Sequence, residues 1–106
     1  MPAWAALQVI LDDVHKERQR QERLKREGRF DNGASDDAMT DAGCLAVLVE
    51  EVGEVARALL ERERLSNDVH GKNVRDELIQ VAAVACAWVE RLDREGPRVI
   101  QRRPSK

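Results

Sequence analysis

Aromatic side chains are nearly missing from this chain: they make up 3% of its 106 residues, and tyrosine is absent. A core so short of large rings must be filled by Leu, Val, Ile and Ala, a composition suited to closely spaced helices. Cysteine is equally scarce. Cys44 and Cys86 each stand alone in an apolar helical stretch, which points to small buried residues rather than a disulfide or a reactive thiol. His15 and His70 lie at no spacing that would pair them with cysteine as a zinc site. The start, Met1-Pro2-Ala3-Trp4, lacks a basic n-region, so no secretory signal is expected. The longest apolar run, Leu78 to Val89, is interrupted by Gln80 and too short to span a bilayer. A reduced cytoplasmic setting without a membrane partner is the expectation. A formal charge of −2 makes no electrostatic case for nucleic acid. There is no Gly-rich phosphate loop, no internal repeat and no strand-like alternation.

What the chain does have is charge, 36% of residues, arranged around three stretches of helical periodicity. The length suits one domain, over residues 1–96, followed by a basic and disordered tail over 97–106. The first helix is expected from about Ala3 to Glu27. Its apolar positions Trp4, Leu7, Ile10, Leu11 and Val14 stop halfway, and His15 to Arg29 is largely charged. The plain reading is a docked apolar half and a solvated charged end; a phosphate-facing strip is the alternative. Gly28 closes this helix, and Asp31-Asn32-Gly33 is a turn signal in a polar, mobile stretch. The second helix begins near Ala38 to Asp41 and runs to about Arg64, with a broad stripe of Leu45, Leu48, Val49, Val52, Val55, Ala56 and Leu59. Asn73 is a suitable cap for the third, which carries Asp76 and Glu77 in its first turn and ends near Glu95 before Gly96-Pro97. Trp4 and Trp88 are assigned to the core, with Trp4 and Phe30 as alternative base-stacking rings.

Two short segments carry the chemistry. Glu50-Glu51-Val52-Gly53-Glu54 places three carboxylates within about one helical turn, and Asp76-Glu77-Leu78-Ile79-Gln80 opens the third helix. Glu51 falls about 100° from the centre of the apolar stripe and Glu54 about 60° further round, whereas Glu50 points toward solvent. Glu77 borders the apolar face of the third helix, with Gln80 about 60° beyond it. Carboxylates drawn from two facing helices are how helical bundles hold divalent metals. Facing water, like charges on one helix cost only a few tenths of a kcal/mol. Converging between helices at about 5–6 Å, each pair repels by roughly 3 kcal/mol at an effective dielectric near 20, and a cation is then needed. Hard cations such as Mg²⁺, or alternatively Mn²⁺, prefer such oxygen ligands. Gly53, costing about 1 kcal/mol in a helix interior relative to Ala, suggests a close approach of backbone or ligand. The competing reading is a solvated acidic face on a helical interaction module. Nucleic-acid binding through the basic half of the first helix is weaker, because Glu17, Glu22 and Glu27 interrupt the positive charge.

The segment Leu48-Val49-Glu50-Glu51-Val52-Gly53-Glu54-Val55-Ala56-Arg57-Ala58-Leu59, followed by Glu77-Leu78-Ile79-Gln80-Val81, resembles the MazG-like all-α nucleoside triphosphate pyrophosphohydrolases. The family pattern is Glu-Glu-x-x-Glu, a connecting segment, then Glu-x-x-Asp on the next helix. Glu17-Arg18-Gln19-Arg20-Gln21 is similar to the segment that precedes it, and the likeness covers roughly Leu11 to Leu92. The resemblance implies Mg²⁺-dependent hydrolysis of a (d)NTP to the monophosphate and pyrophosphate, with Glu51, Glu54 and Glu77 as metal ligands and Glu50 as a supporting or base-like carboxylate. Gln80 stands where the family has Asp; its amide can offer one oxygen, at lower site charge. A catalytically degenerate relative, acting as a regulatory or protein-interaction module, is the alternative. Cationic partners for the triphosphate are Lys72 and Arg75, near the third helix N-terminus, with Arg18 and Gln21 as a second choice.

The third helix is apolar on nearly every face from Leu78 to Val89, more than two other helices of so short a chain can cover. A second copy would complete a four-helix core at a subunit interface, making the protein an obligate homo-oligomer, dimer or tetramer. Light scattering on the purified chain is expected to give a multiple of its 12.0 kDa mass; a mass of one chain would overturn this expectation.

Overall fold

The computed structural model describes residues 2–28, 39–65 and 74–95. They form three helices, α1 (Ala3–Arg26), α2 (Asp41–Leu65) and α3 (Val74–Arg94), and among the described residues there is no strand. The protein is all-α. No described helix is long and apolar enough to cross a membrane. The turn at Asp31–Gly33, the Asn73 cap, Phe30 and the 97–106 tail lie outside the described residues.

Local chemistry accounts for the helix ends. At α1 the chain leaves through Gly28, whose φ of 73° is costly for any residue with a Cβ, and the N–H of Gly28 returns to the Lys25 carbonyl at 3.1 Å. Thr40 caps α2: its Oγ1 accepts the N–H of Gly43 at 3.0 Å. Helix α3 follows its dipole, with Asp76 and Glu77 in the first turn and Arg91 and Arg94 in the last.

Helix α3 is the shared element. It packs against α2 on one side and α1 on the other, and the backbones of α1 and α2 do not approach each other. Helices α2 and α3 are antiparallel, and an arginine sets their register. Arg91, 5% exposed, donates through Nη1 to the Met39 carbonyl at 2.7 Å and through Nη2 to Asp41 Oδ1. Trp88 Nε1 donates to the same Asp41 oxygen at 3.0 Å. Behind this clamp lies a small core of Cys44, Val84 and Ala87, with Met39, Val47, Leu48 and Trp88 packed around it. The assignment of Trp88 to the core holds, with its indole N–H reaching a partner as a half-buried indole requires.

Helix α1 docks in the opposite sense to the sequence expectation. Its buried residues are Val14, Arg18 and Gln21, so the charged half is the one that packs. Trp4, expected in the core, is 73% exposed, and Leu7, Ile10 and Leu11 are exposed with it. Ion pairs accompany the docking of the charged half. Arg18 donates to both Glu90 oxygens, at 2.9 Å from Nε and 2.7 Å from Nη2, and also to Glu22 at 2.9 Å and Gln21 at 3.0 Å. A buried guanidinium is costly unless its donors are met in this way. Arg75 of α3 reaches Asp13 at 2.7 Å. Asp13 and Arg18 are about 7 Å apart along α1, whereas Arg75 and Glu90 are about 22 Å apart along α3. Helix α1 must therefore run across α3, not alongside it, and the half beyond the crossing, with Trp4, is left uncovered. Ala83, fully buried, belongs to the close-packed middle of α3.

The close approach expected at Gly53 is not made within the chain, since a Cβ built there meets nothing within 4 Å. The apolar stripe of α2 is likewise only partly used. Cys44 and Ala58 are buried and Leu48, Val55 and Leu59 half-buried, whereas Leu45, Val49 and Val52 are more than half exposed.

The Arg18 fork holds the Glu90 carboxyl below its ordinary value of 4.5, chiefly through the hydrogen bonds and secondarily against partial burial and the Glu22 charge. A carboxyl depressed in the folded state stabilises it fully above its unfolded pKa, and that stabilisation is lost as pH falls through the folded value. Glu90→Gln is expected to cost about 1 kcal/mol at pH 7, discounted for a half-exposed carboxylate. Melting curves of wild type and variant should converge toward pH 3; a gap independent of pH would remove this account of α1 docking.

Candidate functional site

The register set by Arg91 decides what meets at the other end of the α2–α3 pair. Glu51 lies ten residues beyond Asp41, and Gln80 eleven before Arg91, displacements of about 15 and 16 Å along the two antiparallel helices. Glu51 and Glu54 of α2 and Asp76, Glu77 and Gln80 of α3 line one cavity of about 380 Å³, with Arg20 of α1 completing its wall. Thus Glu51, Glu54, Glu77 and Gln80, singled out on two helices separated in sequence, share one enclosure.

Their environments differ. Glu77 is 4% exposed, Glu51, Glu54 and Gln80 are half-buried, and Asp76 is exposed. Glu54 lies 3.8 Å from Arg57 one turn along α2, on an outer flank that Arg57 shares with Glu61 at 3.7 Å. Glu51 belongs to the row of α2 that faces α3, together with Cys44, Leu48 and Ala58, and not to the margin of the exposed Val49–Val52 stripe. That is why it is drawn inward: the side of α2 used against α3 is rotated from the most apolar side.

Four carboxylates and an amide facing one guanidinium make an electronegative enclosure with oxygen donors of the kind hard cations prefer. The donors ring the cavity; among the described residues no three His, Cys, Asp or Glu side chains are gathered as a group that could hold a metal ion. The donor chemistry therefore fits Mg²⁺ or Mn²⁺, and taking up an ion requires the side chains to close inward from the cavity wall.

The other expected site residues are placed elsewhere. Glu50 is exposed and does not line the cavity. Arg75 pairs with Asp13. Arg18 opens onto a different cavity, of about 530 Å³, on the Glu90 side of α1. Gln21 is buried, accepting from Arg18 and donating to Glu17 Oε2 at 3.4 Å. Lys72 lies outside the described residues. Two lining residues were not singled out from the sequence. Asp76 was read only as a favourable charge at a helix start, and its adjacency to Glu77 was the available signal. Arg20 had none, because its arrival at the cavity depends on the oblique crossing of α1.

Comparison with protein-family models, with curated proteins and with solved structures finds no match for this chain.

Titration with Mn²⁺ at about 100 times its dissociation constant is expected to add about 2.7 kcal/mol to stability, readable as a rise in Tm. Glu77→Gln should abolish that rise. A wild-type Tm indifferent to both Mn²⁺ and Mg²⁺ would exclude the cavity as a cation site.

Proposed function

We propose that this protein is a MazG-like, divalent-metal-dependent nucleoside triphosphate pyrophosphohydrolase that converts a (d)NTP to the monophosphate and pyrophosphate. One observation carries the reading: Glu51, Glu54, Glu77 and Gln80, the positions picked out by likeness to that family, line a single cavity between antiparallel helices.

Glu51, Glu54 and Glu77 would hold the ion through carboxylate oxygens, and Gln80 through its amide Oε1. When bound, Mg²⁺ or Mn²⁺ supplies countercharge to the phosphates and acidifies a water. The half-buried Glu51 carboxylate, if not engaged on the ion, would be placed to accept a proton from an attacking water, the role of a general base. Water adds across one phosphoanhydride bond, which breaks to leave the monophosphate and pyrophosphate. Glu77 is itself buried, and charge interactions at its carboxylate are stronger than in bulk water. Glu50, outside the cavity, has no part in this scheme.

The assembly belongs to the same proposal. Val49, Val52 and Leu60 of α2 and Leu78, Val89 and Leu92 of α3 are about half exposed, and each forgoes about 1 kcal/mol by staying so. A second copy packed on these rows, with Gly53 on the exposed side of α2 allowing a close approach, would complete a four-helix core.

Two features favour the alternative, a degenerate relative serving as a regulatory or interaction module: Gln80 in place of a carboxylate, and donors that ring the cavity without converging. A pyrophosphate-release assay over a panel of (d)NTPs separates the two. The hydrolase reading expects release with Mg²⁺ and none after chelation, and a loss of more than about 100-fold in Glu51→Gln, beyond the 10- to 100-fold typical of outer-sphere changes. No release from any nucleotide would leave the interaction module.

A further inference from the structure

The cavity poses an electrostatic difficulty for any polyphosphate. A triphosphate entering it meets Glu51, Glu54, Asp76 and Glu77, and a metal ion alone does not offset all of that repulsion. Among the described lining residues the one cation is Arg20. We propose that Arg20 is the phosphate-binding residue of this site, and that Glu17 is the positioning residue that holds its guanidinium at the cavity wall. The proposal rests on the pyrophosphohydrolase reading.

The geometry suits that task. Arg20 and Glu17 form a two-pronged fork, Nε to Oε1 at 3.0 Å and Nη2 to Oε2 at 2.9 Å, one turn apart on α1. The fork uses two of the five N–H groups of the guanidinium and leaves three for a second anion. Glu17 is well placed to anchor it: its side chain is only 11% exposed and also accepts from Gln21. Arg20 is 48% exposed, so an incoming ligand can reach it. The carboxylate beside it raises the Arg20 pKa, mainly through the hydrogen bonds, and the group stays cationic at every working pH.

The other described arginines nearby do not line the cavity. Arg18, two residues earlier, is spent on Glu90, Glu22 and Gln21 and faces the far side of α1. Arg75 is held by Asp13. Because α1 crosses α3 obliquely, residues 13, 17 and 20 lie toward the start of α3 and residues 15, 18 and 22 toward its end. The phosphate-binding role thus falls on Arg20 instead of Arg18.

The test uses the full chain with two readouts: calorimetric binding of Mg²⁺–tripolyphosphate, and KM and kcat for a hydrolysed (d)NTP. Arg20→Gln is expected to weaken tripolyphosphate binding about 10- to 100-fold, as for loss of a charge-assisted hydrogen bond, and to raise KM similarly with kcat changed less than about threefold. Mn²⁺ binding in the absence of phosphate should not weaken. Arg20→Lys should recover part of the loss as a point charge without the fork. Arg23→Gln, on the other face of α1, should bind as wild type. Hydrolysis with a KM unmoved by Arg20→Gln overturns the inference and leaves the hydrolase reading standing. Tripolyphosphate binding that depends on Arg20, without hydrolysis, sustains the inference and overturns the reading. Wild-type protein that neither binds nor hydrolyses overturns both.

Discussion

Arg91 governs the geometry of this protein. It is a buried cation that ties α3 to α2 by direction-dependent bonds, to a carbonyl and a carboxylate at the start of α2. Apolar contacts alone specify register weakly, because Cys44, Val84 and Ala87 are small and could slide by a turn at little cost. A misplaced Arg91 would instead be a buried charge without its acceptors, an error of several kcal/mol. With that end fixed, the positions of Glu51, Glu54, Glu77 and Gln80 relative to one another follow from helix rise. A polar clamp at one end of the pair thus determines the alignment of the acidic residues at the other.

The interior is built from small residues and charge. Among the described residues the buried apolar ones are Val14, Cys44, Ala58, Ala83, Val84 and Ala87, none larger than valine, and four polar or charged residues, Arg18, Gln21, Glu77 and Arg91, are buried beside them. Small residues let helices approach closely, but they supply little of the hydrophobic stabilisation a domain of this size needs. Twelve large apolar side chains of the described residues, Trp4, Leu45 and Leu78 among them, are exposed instead. This division makes sense if the outer faces become a second, larger core between copies of the chain, as proposed above. The single chain would then provide the site's alignment and the assembly most of its stability.

Much of this was legible along the chain. All three helices, their approximate ends and the Gly28 stop come from periodicity and capping chemistry, which are local properties, and the set Glu51, Glu54, Glu77 and Gln80 from a family resemblance. The docking of α1 was not. Its apolar half, Trp4 to Leu11, looked like the buried half because hydrophobicity was the only available guide. Arg18 meets Glu90 across 72 positions of sequence, a pairing that hydrophobic periodicity does not report. Arg18, a second-choice phosphate partner on the sequence, lines a different cavity from the acidic residues, and Arg20 lines theirs.

What the amino-acid order determined by itself is therefore the helical content and the identity of the acidic residues, because backbone hydrogen bonding and side-chain periodicity act within a few positions. What only the tertiary structure decided is which cation stands beside those acids and which face of each helix is covered. Those depend on the angle at which α1 crosses α3, and that angle is set by long-range ion pairs among many charged residues, any of which could have paired differently.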